Sequence, residues 1–237
     1  MFDSFLLLQP HEAQLVRQLI EETKTYPKIG QRMKIISARF LGFPYIVDQL
    51  IGSETETEIF VTRMDGFDCV TYIETALALA GAKDYEGFLN HLRETIYQNG
   101  IVEWRSRLHY LSLWSQYHIR RGFLIDLTKG EDAIPRTKTL DYVKGLKPVT
   151  VSYHFFPNQK AKLVGKWIED GDLIFWASAR KGLDVFHVGM LFRDGDRVFL
   201  RHATKHSRAV IEQDLAEFAK INHWSGFFIN RPVENIK

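Results

Sequence analysis

The spacing of apolar residues changes once along the chain, from a helical period to a strand period, and this change restricts the fold more than any other feature. In the first part, apolar residues recur every three or four positions, as between His11 and Lys24. After Pro148, β-branched and aromatic runs separated by turn residues predict an antiparallel meander of three strands: 172–177, 185–192 and 197–203. Helices followed by strands predict an α+β fold in which a helix packs on an antiparallel sheet.

We expect one domain, residues 1–237, with a helical part of about 1–147 and a sheet-rich part of about 148–237. No internal repeat or low-complexity linker interrupts it. Further elements are predicted as helices at 31–41, 69–80, 84–98 and 214–222, a partly helical stretch at 104–120, and a last strand at 227–230. A chain of this length can bury roughly 70% of its unfolded surface, so it needs no disulfide or structural metal to fold.

Composition excludes several classes of function. The 31 basic and 29 acidic residues leave a net charge of +2, and no basic run exceeds a pair, so the pattern does not predict a nucleic-acid-binding protein. The apolar run from Phe5 to Leu8 is too short for a signal peptide or a membrane span. We therefore expect a chain without a membrane span.

The chain has one cysteine, Cys69. A single cysteine excludes an intramolecular disulfide and any site that needs several thiolates, and it leaves either a small buried apolar residue or a reactive thiol. Asp68 is a favoured N-cap residue, so Cys69 is predicted in the first turn of the helix at 69–80. The helix dipole and the free N–H groups there can lower the pKa of a thiol and can also hold an oxyanion.

A thiol nucleophile needs an imidazole base, and the predicted meander offers a pair of histidines. If Asp194 and Gly195 form a two-residue hairpin loop, His187 lies directly opposite His202, close enough for a hydrogen bond between the rings. A loop at Gly195-Asp196 would instead place Gly189 opposite His202, and we expect that register to break the pair. The alternative interpretation is two unrelated strand histidines.

Five short segments, in this order, carry a resemblance to a known superfamily. They are Gly42-Phe43-Pro44-Tyr45, Asp68-Cys69, Gly171-Asp172-Leu173-Ile174-Phe175, His187-Val188-Gly189 and His202-Ala203. The series resembles the NlpC-type papain-like peptidases and amidases of bacterial cell walls. The resemblance implies a papain-like fold, with the cysteine helix packed on an antiparallel sheet that carries both histidines, and with extra helices.

The resemblance also implies roles for individual residues. Cys69 is the expected nucleophile, His187 the base and His202 the residue that orients the base. Tyr45 matches a tyrosine kept beside the nucleophile, and with Asp68 it is expected at the oxyanion or substrate side of the site.

Two further segments narrow the resemblance to one branch. Phe67-Asp68-Cys69-Val70-Thr71 and Ser106-Arg107-Leu108-His109-Tyr110 are similar to the branch regarded as N-acetylmuramoyl-L-alanine amidases. The implied reaction is cleavage of the amide between N-acetylmuramic acid, in its 1,6-anhydro form, and L-alanine of the stem peptide. Arg107, His109 and Tyr110 are then candidate substrate contacts, although Arg107 could equally form a structural ion pair.

Other functions stay open at this stage. An endopeptidase that cuts within the stem peptide is the nearest alternative. His202 and His206 have the His-x-x-x-His spacing of a zinc site, which would suit a zinc-dependent amidase. A one-cysteine peroxidase and a noncatalytic cell-wall-binding module are the remaining alternatives.

The leading interpretation needs no cofactor and no metal. Its partners are peptidoglycan fragments (muropeptides), with no nucleic acid involved, and a monomer is expected. The expected location is the periplasm or cell envelope, with the cytoplasm as the alternative.

Overall fold

The structure is a computed structural model that describes residues 5–6, 8–222 and 224–234. The chain forms two compact units. One comprises Met1–Leu108 with Ala203–Ile211, and the other His109–His202 with Glu212–Lys237. Helices together with an antiparallel sheet confirm the predicted α+β class. Within the described residues, no helix combines the length and the apolar character that crossing a membrane requires.

Four α-helices build the described part of the first unit. They are α1 (Pro10–Thr23), α2 (Ile29–Arg39), α3 (Cys69–Gly81) and α4 (Tyr85–Ile96), and the unit also contains the short parallel strands β1 (Phe5–Leu6) and β2 (Phe60–Val61). All four helices confirm their sequence predictions.

The helix α3 lies at the centre of this unit, against α1, α2 and α4. Its side chains from Thr71 to Ala80 are all buried, which agrees with a sequence that is mostly apolar, although Glu74 and Thr75 are buried with the rest. The cysteine therefore begins a helix that packing holds from several sides.

The second unit contains α5 (Leu111–Arg120), α6 (Leu215–Ile221) and most of an eight-stranded sheet. The strands are β3 (Leu124–Asp126), β4 (Ile134–Leu140), β5 (Val149–Pro157), β6 (Asp172–Ala177), β7 (Val185–Asp194), β8 (Arg197–Thr204), β9 (Ala209–Asp214) and β10 (Gly226–Pro232). The strand order is β4-β5-β10-β6-β7-β8-β9, and β3 pairs with β10. The predicted meander is confirmed as β6, β7 and β8.

The strands β3 and β4 begin before residue 148, in the part predicted to be helical. The strand β4 alternates threonine with arginine and lysine, as at Arg136, Thr137 and Lys138. Both of its faces are polar, so the apolar alternation that predicts a strand is missing.

The central strand β6 is buried along its whole length because both faces of the sheet are covered. On one face, Trp114 of α5 packs on Phe175, with ring centroids 5.9 Å apart. On the other face, Trp176 packs on Phe218 of α6 at 5.4 Å. The neighbouring strand β7, which carries His187, is therefore anchored to a fully packed element.

A buried ion pair joins β6 to β10. Arg231 contacts both oxygens of Asp172 from Nε and Nη2, at 2.8 and 2.9 Å, and Asp172 is 0% exposed. Burial raises the pKa of Asp172, while the hydrogen bonds from Arg231 and from the backbone of Glu169 act in the opposite direction.

Replacing Arg231 with methionine should lower the free energy of unfolding by about 3 kcal/mol or more, because it leaves a buried carboxylate without its partner. The matched control is Lys220→Met, which removes an exposed pair with Glu217 and should cost less than about 1 kcal/mol. Urea denaturation measures both variants. Equal losses would contradict the importance of the buried pair.

Candidate active site

Cys69 is the first residue of α3, and it is half-buried. Asp68 caps the helix, with Oδ1 accepting from the backbone N–H groups of Val70 at 2.9 Å and Thr71 at 2.7 Å. The Thr71 hydroxyl oxygen accepts in return from the Asp68 N–H at 3.0 Å. The cap confirms the predicted helix start. It also occupies two of the N–H groups that an oxyanion at Cys69 would otherwise use.

Tyr45 lies beside this helix start. Its backbone forms a parallel bridge with Phe67, and burial together with the nearby Cys69, Asp68 and Asp48 raises the pKa of the Tyr45 hydroxyl to about 12. The phenol is therefore protonated at neutral pH and can donate a hydrogen bond. The first unit thus brings together Tyr45, Asp68 and Cys69.

Gly66 allows the segment around Tyr45 to lie close to the backbone that precedes α3. A Cβ atom at this position would lie 2.7 Å from the carbonyl oxygen of Pro44 and 2.5 Å from Cδ1 of Ile46. The segment is held on its other side by the tip of the β8–β9 hairpin, where the Tyr45 N–H donates to the Arg208 carbonyl at 2.9 Å. The tyrosine is thus fixed from two directions.

His187 and His202 touch within the second unit. Nε2 of His187 lies 2.5 Å from Nδ1 of His202, and the ring centroids are 4.8 Å apart. At this separation one nitrogen must carry a proton and the other must accept it. The predicted ring contact is confirmed.

The register behind that prediction is wrong. Asp194 pairs with Arg197, so the hairpin loop is one residue later than expected, and the register carries Gly189 to the position opposite His202. The expectation that this register would break the pair is also wrong. The residue opposite His202 changes from His187 to Gly189, a shift of two positions. His187 therefore stays on the same face as His202 and becomes its diagonal neighbour.

Gly189 provides the space for the diagonal contact. A Cβ atom there would lie 3.0 Å from Cβ of His202 and 2.7 Å from Cδ1 of Leu200. Because glycine has no side chain, β7 and β8 approach closely where the His187 ring reaches across.

A bulge in β7 lies directly beside His187. Trp176 is opposite His187, while the next residue, Ala177, is opposite Val185. Phe186 is therefore the extra residue of a β-bulge, a feature that changes the direction of neighbouring side chains.

Aromatic rings surround the two imidazoles. Phe218 lies 5.2 Å from His202 and Trp224 lies 6.2 Å from His187, measured between ring centroids. Burial and the neighbouring His202 lower the pKa of His187 to about 3. Burial also lowers the pKa of His202, to about 4, while the side chain of Gln213 acts in the opposite direction. Both rings are therefore neutral at neutral pH.

The loop before β7 is held by two charged residues. Asp184 is buried, and its carboxylate accepts from the N–H of Ser112 at 2.6 Å and from the N–H of Val185 at 2.8 Å. Nζ of Lys138 donates to three backbone carbonyls, those of Ser178, Arg180 and Leu183, at 2.8, 2.5 and 2.5 Å. The start of the histidine strand is thus tied to α5 and to β4.

Sequence analysis missed Lys138, Asp184, Phe186 and Gln213 as residues that shape the site. All four act through tertiary contacts with distant or bulged segments, and none belongs to a local motif. One of them could have been suspected from the sequence. Asp184 lies three residues before His187, at the start of the strand that carries it.

Arg107 forms an ion pair in the first unit. Its Nη2 lies 2.6 Å from both oxygens of Glu58, its Nε lies 3.0 Å from Oε1, and the Tyr97 hydroxyl donates to the same oxygen at 2.6 Å. Glu58 is buried. Among the described residues, no hydrogen bond reaches Nη1 of Arg107. Arg107 therefore forms the structural ion pair that was the alternative to substrate binding, and this pair uses Nε and Nη2 but not Nη1.

Tyr110 and His109 belong to the second unit. Tyr110 is buried beside Leu140 and Val151, and its hydroxyl oxygen accepts from the N–H of Val143 at 2.9 Å. His109 is half-buried. Tyr110 is thus a packing residue with a satisfied hydroxyl.

The histidines of the alternative zinc motif differ in surroundings. His202 is buried and bound to His187, whereas His206 is exposed at the tip of the β8–β9 hairpin. No cluster of three histidine, cysteine or acidic side chains suited to a metal occurs in the part of the chain that the structure describes.

Comparison with known proteins gives a family match over most of the chain. The model of a family described as AmiA-like, N-acetylmuramoyl-L-alanine amidase-like, matches residues 35–226. No curated protein matches the sequence.

Solved structures share the fold. An N-acetylmuramoyl-L-alanine amidase from Bacteroides uniformis ATCC 8492 is 26% identical with a TM-score of 0.77, over 87% of this chain and 99% of that chain. A protein from Legionella pneumophila str. Philadelphia 1 has a TM-score of 0.80 at 23% identity, over 94% and 95% of the two chains. A Bacteroides fragilis protein named as a candidate xylanase has a TM-score of 0.71 at 26% identity, over 82% and 98%.

The close approach at Gly189 can be tested by substitution with alanine. The added methyl group would crowd Leu200 and His202 and should lower the free energy of unfolding by about 1–3 kcal/mol. The control is Gly195→Asn in the hairpin loop, where no atom lies within 4 Å and asparagine tolerates the positive φ. Chemical denaturation measures both. Unchanged stability in Gly189→Ala would contradict the close strand approach.

Proposed function

Because the chain belongs to the AmiA-like family of N-acetylmuramoyl-L-alanine amidase-like proteins, we propose that it hydrolyses the amide between N-acetylmuramic acid, in its 1,6-anhydro form, and L-alanine of the stem peptide. The observation that carries the proposal is the pair of neutral, touching histidines in a chain whose one cysteine begins a capped, buried helix. We further propose that the fold is papain-like.

The chemistry follows from the roles of three side chains. His187 takes the proton of the Cys69 thiol as Sγ attacks the lactyl carbonyl carbon, which forms a tetrahedral oxyanion. The C–N bond then breaks, and His187 gives the proton to the leaving amine of L-alanine. Water, deprotonated by His187, attacks the thioester carbonyl carbon, the C–S bond breaks, and His187 returns the proton to Sγ. The sugar acid leaves with the second proton of the water and ionises in solution.

The ring contact assigns the nitrogens of His187. Its Nε2 is engaged by His202, so Nδ1 is the nitrogen available to the thiol. In the proposed reaction, Nδ1 of His187 is therefore the atom that takes and returns the proton. Since burial keeps both imidazoles neutral, His187 begins the cycle as a base and not as an acid.

Tyr45 is proposed as an oxyanion donor. Its hydroxyl stays protonated because its pKa is raised to about 12, and it lies beside Cys69. Asp68 occupies the N–H groups of Val70 and Thr71, so we assign Asp68 the role of fixing the helix start. The Tyr45 hydroxyl then supplies the oxyanion with the hydrogen bond that the N–H groups of Val70 and Thr71 cannot donate.

For substrate binding we propose Arg107 and His109, with Tyr110 holding the segment in place. Glu58 fixes the guanidinium of Arg107 through Nε and Nη2, which leaves Nη1 for a carboxylate of the stem peptide. The buried Tyr110 supports this segment through its bond to Val143.

We propose that the protein acts as a monomer on peptidoglycan fragments in the periplasm or cell envelope, without a metal or cofactor. A glycosidase, which the xylanase name of one structural neighbour would suggest, needs two carboxyl groups at the scissile bond. Of the two acidic side chains near Tyr45 and Cys69, Asp68 and Asp48, the first is occupied as a helix cap. A thiol and two imidazoles suit acyl transfer better.

The nucleophile can be tested with purified anhydromuropeptides. Cys69→Ala and His187→Ala should each lower kcat by about 10³-fold or more, because each removes a member of one reacting unit. Mass spectrometry of the wild-type products should show the intact stem peptide and the free sugar acid. Release of a dipeptide would identify an endopeptidase instead.

Controls for this test address the other candidates. His206→Ala should leave the rate unchanged, whereas a zinc enzyme using His202 and His206 would lose activity in this variant and with a chelator. Retained cleavage by Cys69→Ala would refute the thiol mechanism. Protection of Cys69 from iodoacetamide by substrate would support it.

The role of Arg107 can be separated from its ion pair with a double variant. Arg107→Met alone leaves Glu58 buried without its partner and should cost about 3–5 kcal/mol of stability. Arg107→Met combined with Glu58→Gln removes both charges and should recover much of that loss. If Nη1 binds the substrate, the folded double variant should have a KM raised about tenfold or more with a smaller change in kcat. An unchanged KM would make Arg107 purely structural.

A further inference from the structure

The strand β9 brings a further polar side chain to the histidine pair. The strands β8 and β9 are neighbours, and Nε of Arg201 lies 2.9 Å from Oε2 of Glu212, so these two side chains share one face of the sheet. Side chains alternate between the two faces of a strand, so His202 and Gln213, each one residue further along its strand, share the face opposite to this ion pair. Gln213 of β9 therefore lies on the same face as His202 and acts on its ring, as His187 of β7 does from the other side.

The second nitrogen of His202 is buried. His202 is 1% exposed, and no described residue forms a hydrogen bond of normal geometry with its Nε2. The Gln213 side chain nevertheless acts on this ring, and it raises the His202 pKa against the effect of burial. Such a rise is the effect of an acceptor placed at a ring N–H. Phe218, which packs edge-on against the ring, offers no acceptor atom.

Two arrangements, each a combination of tautomers, are possible when both histidines are neutral and share one hydrogen bond. In the first, His187 donates from Nε2 to Nδ1 of His202, and His202 carries its proton on Nε2. In the second, His202 donates from Nδ1 and its Nε2 is a bare acceptor. Only the first leaves the lone pair of His187 Nδ1 free to take a proton, because the second places a proton on that nitrogen.

We propose that Gln213 is a positioning residue whose amide oxygen accepts the Nε2–H of His202 and thereby holds the pair in the first arrangement. The amide oxygen, and not the amide NH2, must face the ring, since an NH2 group would favour the second arrangement. This inference rests on the proposed function, in which His187 is the base, and extends it by a fourth side chain.

The ion pair between Arg201 and Glu212 lies on the other face of the strands. Arg201 and Glu212 are bound to each other, and the Arg201 guanidinium stacks over Phe192 at 4.4 Å from the ring centroid. From α6 the pair is faced by Phe218, and Trp224 also lies beside it. A neutral amide is thus the polar group that β9 contributes to this face.

The test uses nitrogen NMR of the full chain labelled at histidine, without substrate. In the wild type, Nε2 of His202 should show a pyrrole-type shift and Nδ1 a pyridine-type shift. Gln213→Met, which keeps the length but removes the acceptor, should shift the population toward protonated Nδ1. Gln213→Glu restores an acceptor and should return the pattern to that of the wild type. Glu212→Gln, on the opposite face, is the matched control and should leave both rings unchanged.

Activity provides a second measurement. Gln213→Met should lower kcat/KM for muropeptide cleavage by about 10- to 100-fold, a loss smaller than the 10⁴-fold drop known for a catalytic histidine held in the wrong tautomer. The loss should appear mainly in kcat, and Gln213→Glu should recover most of it at neutral pH. A purely structural role would show equal losses in both variants.

The outcomes separate this inference from the proposed function. A protonated Nδ1 on wild-type His202, or ring signals that Gln213→Met leaves unchanged, would overturn the role of Gln213. The expected NMR pattern in a protein that cleaves no muropeptide would support the tautomer assignment and refute the amidase proposal.

Discussion

The contact between Nε2 of His187 and Nδ1 of His202 is the interaction on which the candidate site depends. At 2.5 Å the pair shares one proton, and burial lowers the pKa values of both rings, so neither is charged at neutral pH. A neutral pair has one donor and one acceptor at the contact. The neighbours of the two outer nitrogens, Nδ1 of His187 and Nε2 of His202, then determine which of them carries a proton. The direction of the shared hydrogen bond decides whether Nδ1 of His187 carries a lone pair or a proton.

Several features of the second unit serve this contact. Gly189 lets β7 and β8 approach, a bulge at Phe186 sets the direction of the strand at His187, and Asp184 with Lys138 holds the loop that precedes it. The sheet beneath is packed on both faces around β6. The ring pair can thus be held tightly because each supporting residue is itself fixed by packing or by hydrogen bonds.

In the first unit, a helix cap and a close backbone approach fix the surroundings of Cys69. The buried helix α3 begins at a reciprocal cap between Asp68 and Thr71, and Tyr45 is brought beside Cys69 by a backbone approach that only glycine permits at residue 66. The same unit uses Arg107 to neutralise the buried Glu58. Two nitrogens of Arg107 thus stabilise the first unit, and the third, Nη1, is the one that we propose for substrate binding.

Local sequence was enough to predict the main helices, the β6–β8 meander, the helix start at Cys69 and the shared face of His187 and His202. Caps and hydrophobic periods act over a few residues, and a strand keeps its faces even when the register shifts by two. The exact hairpin register, the polar strand β4 and the contributions of Lys138, Asp184 and Gln213 were decided only by the tertiary structure. These features depend on contacts between distant segments, where packing and paired buried charges outweigh local preference.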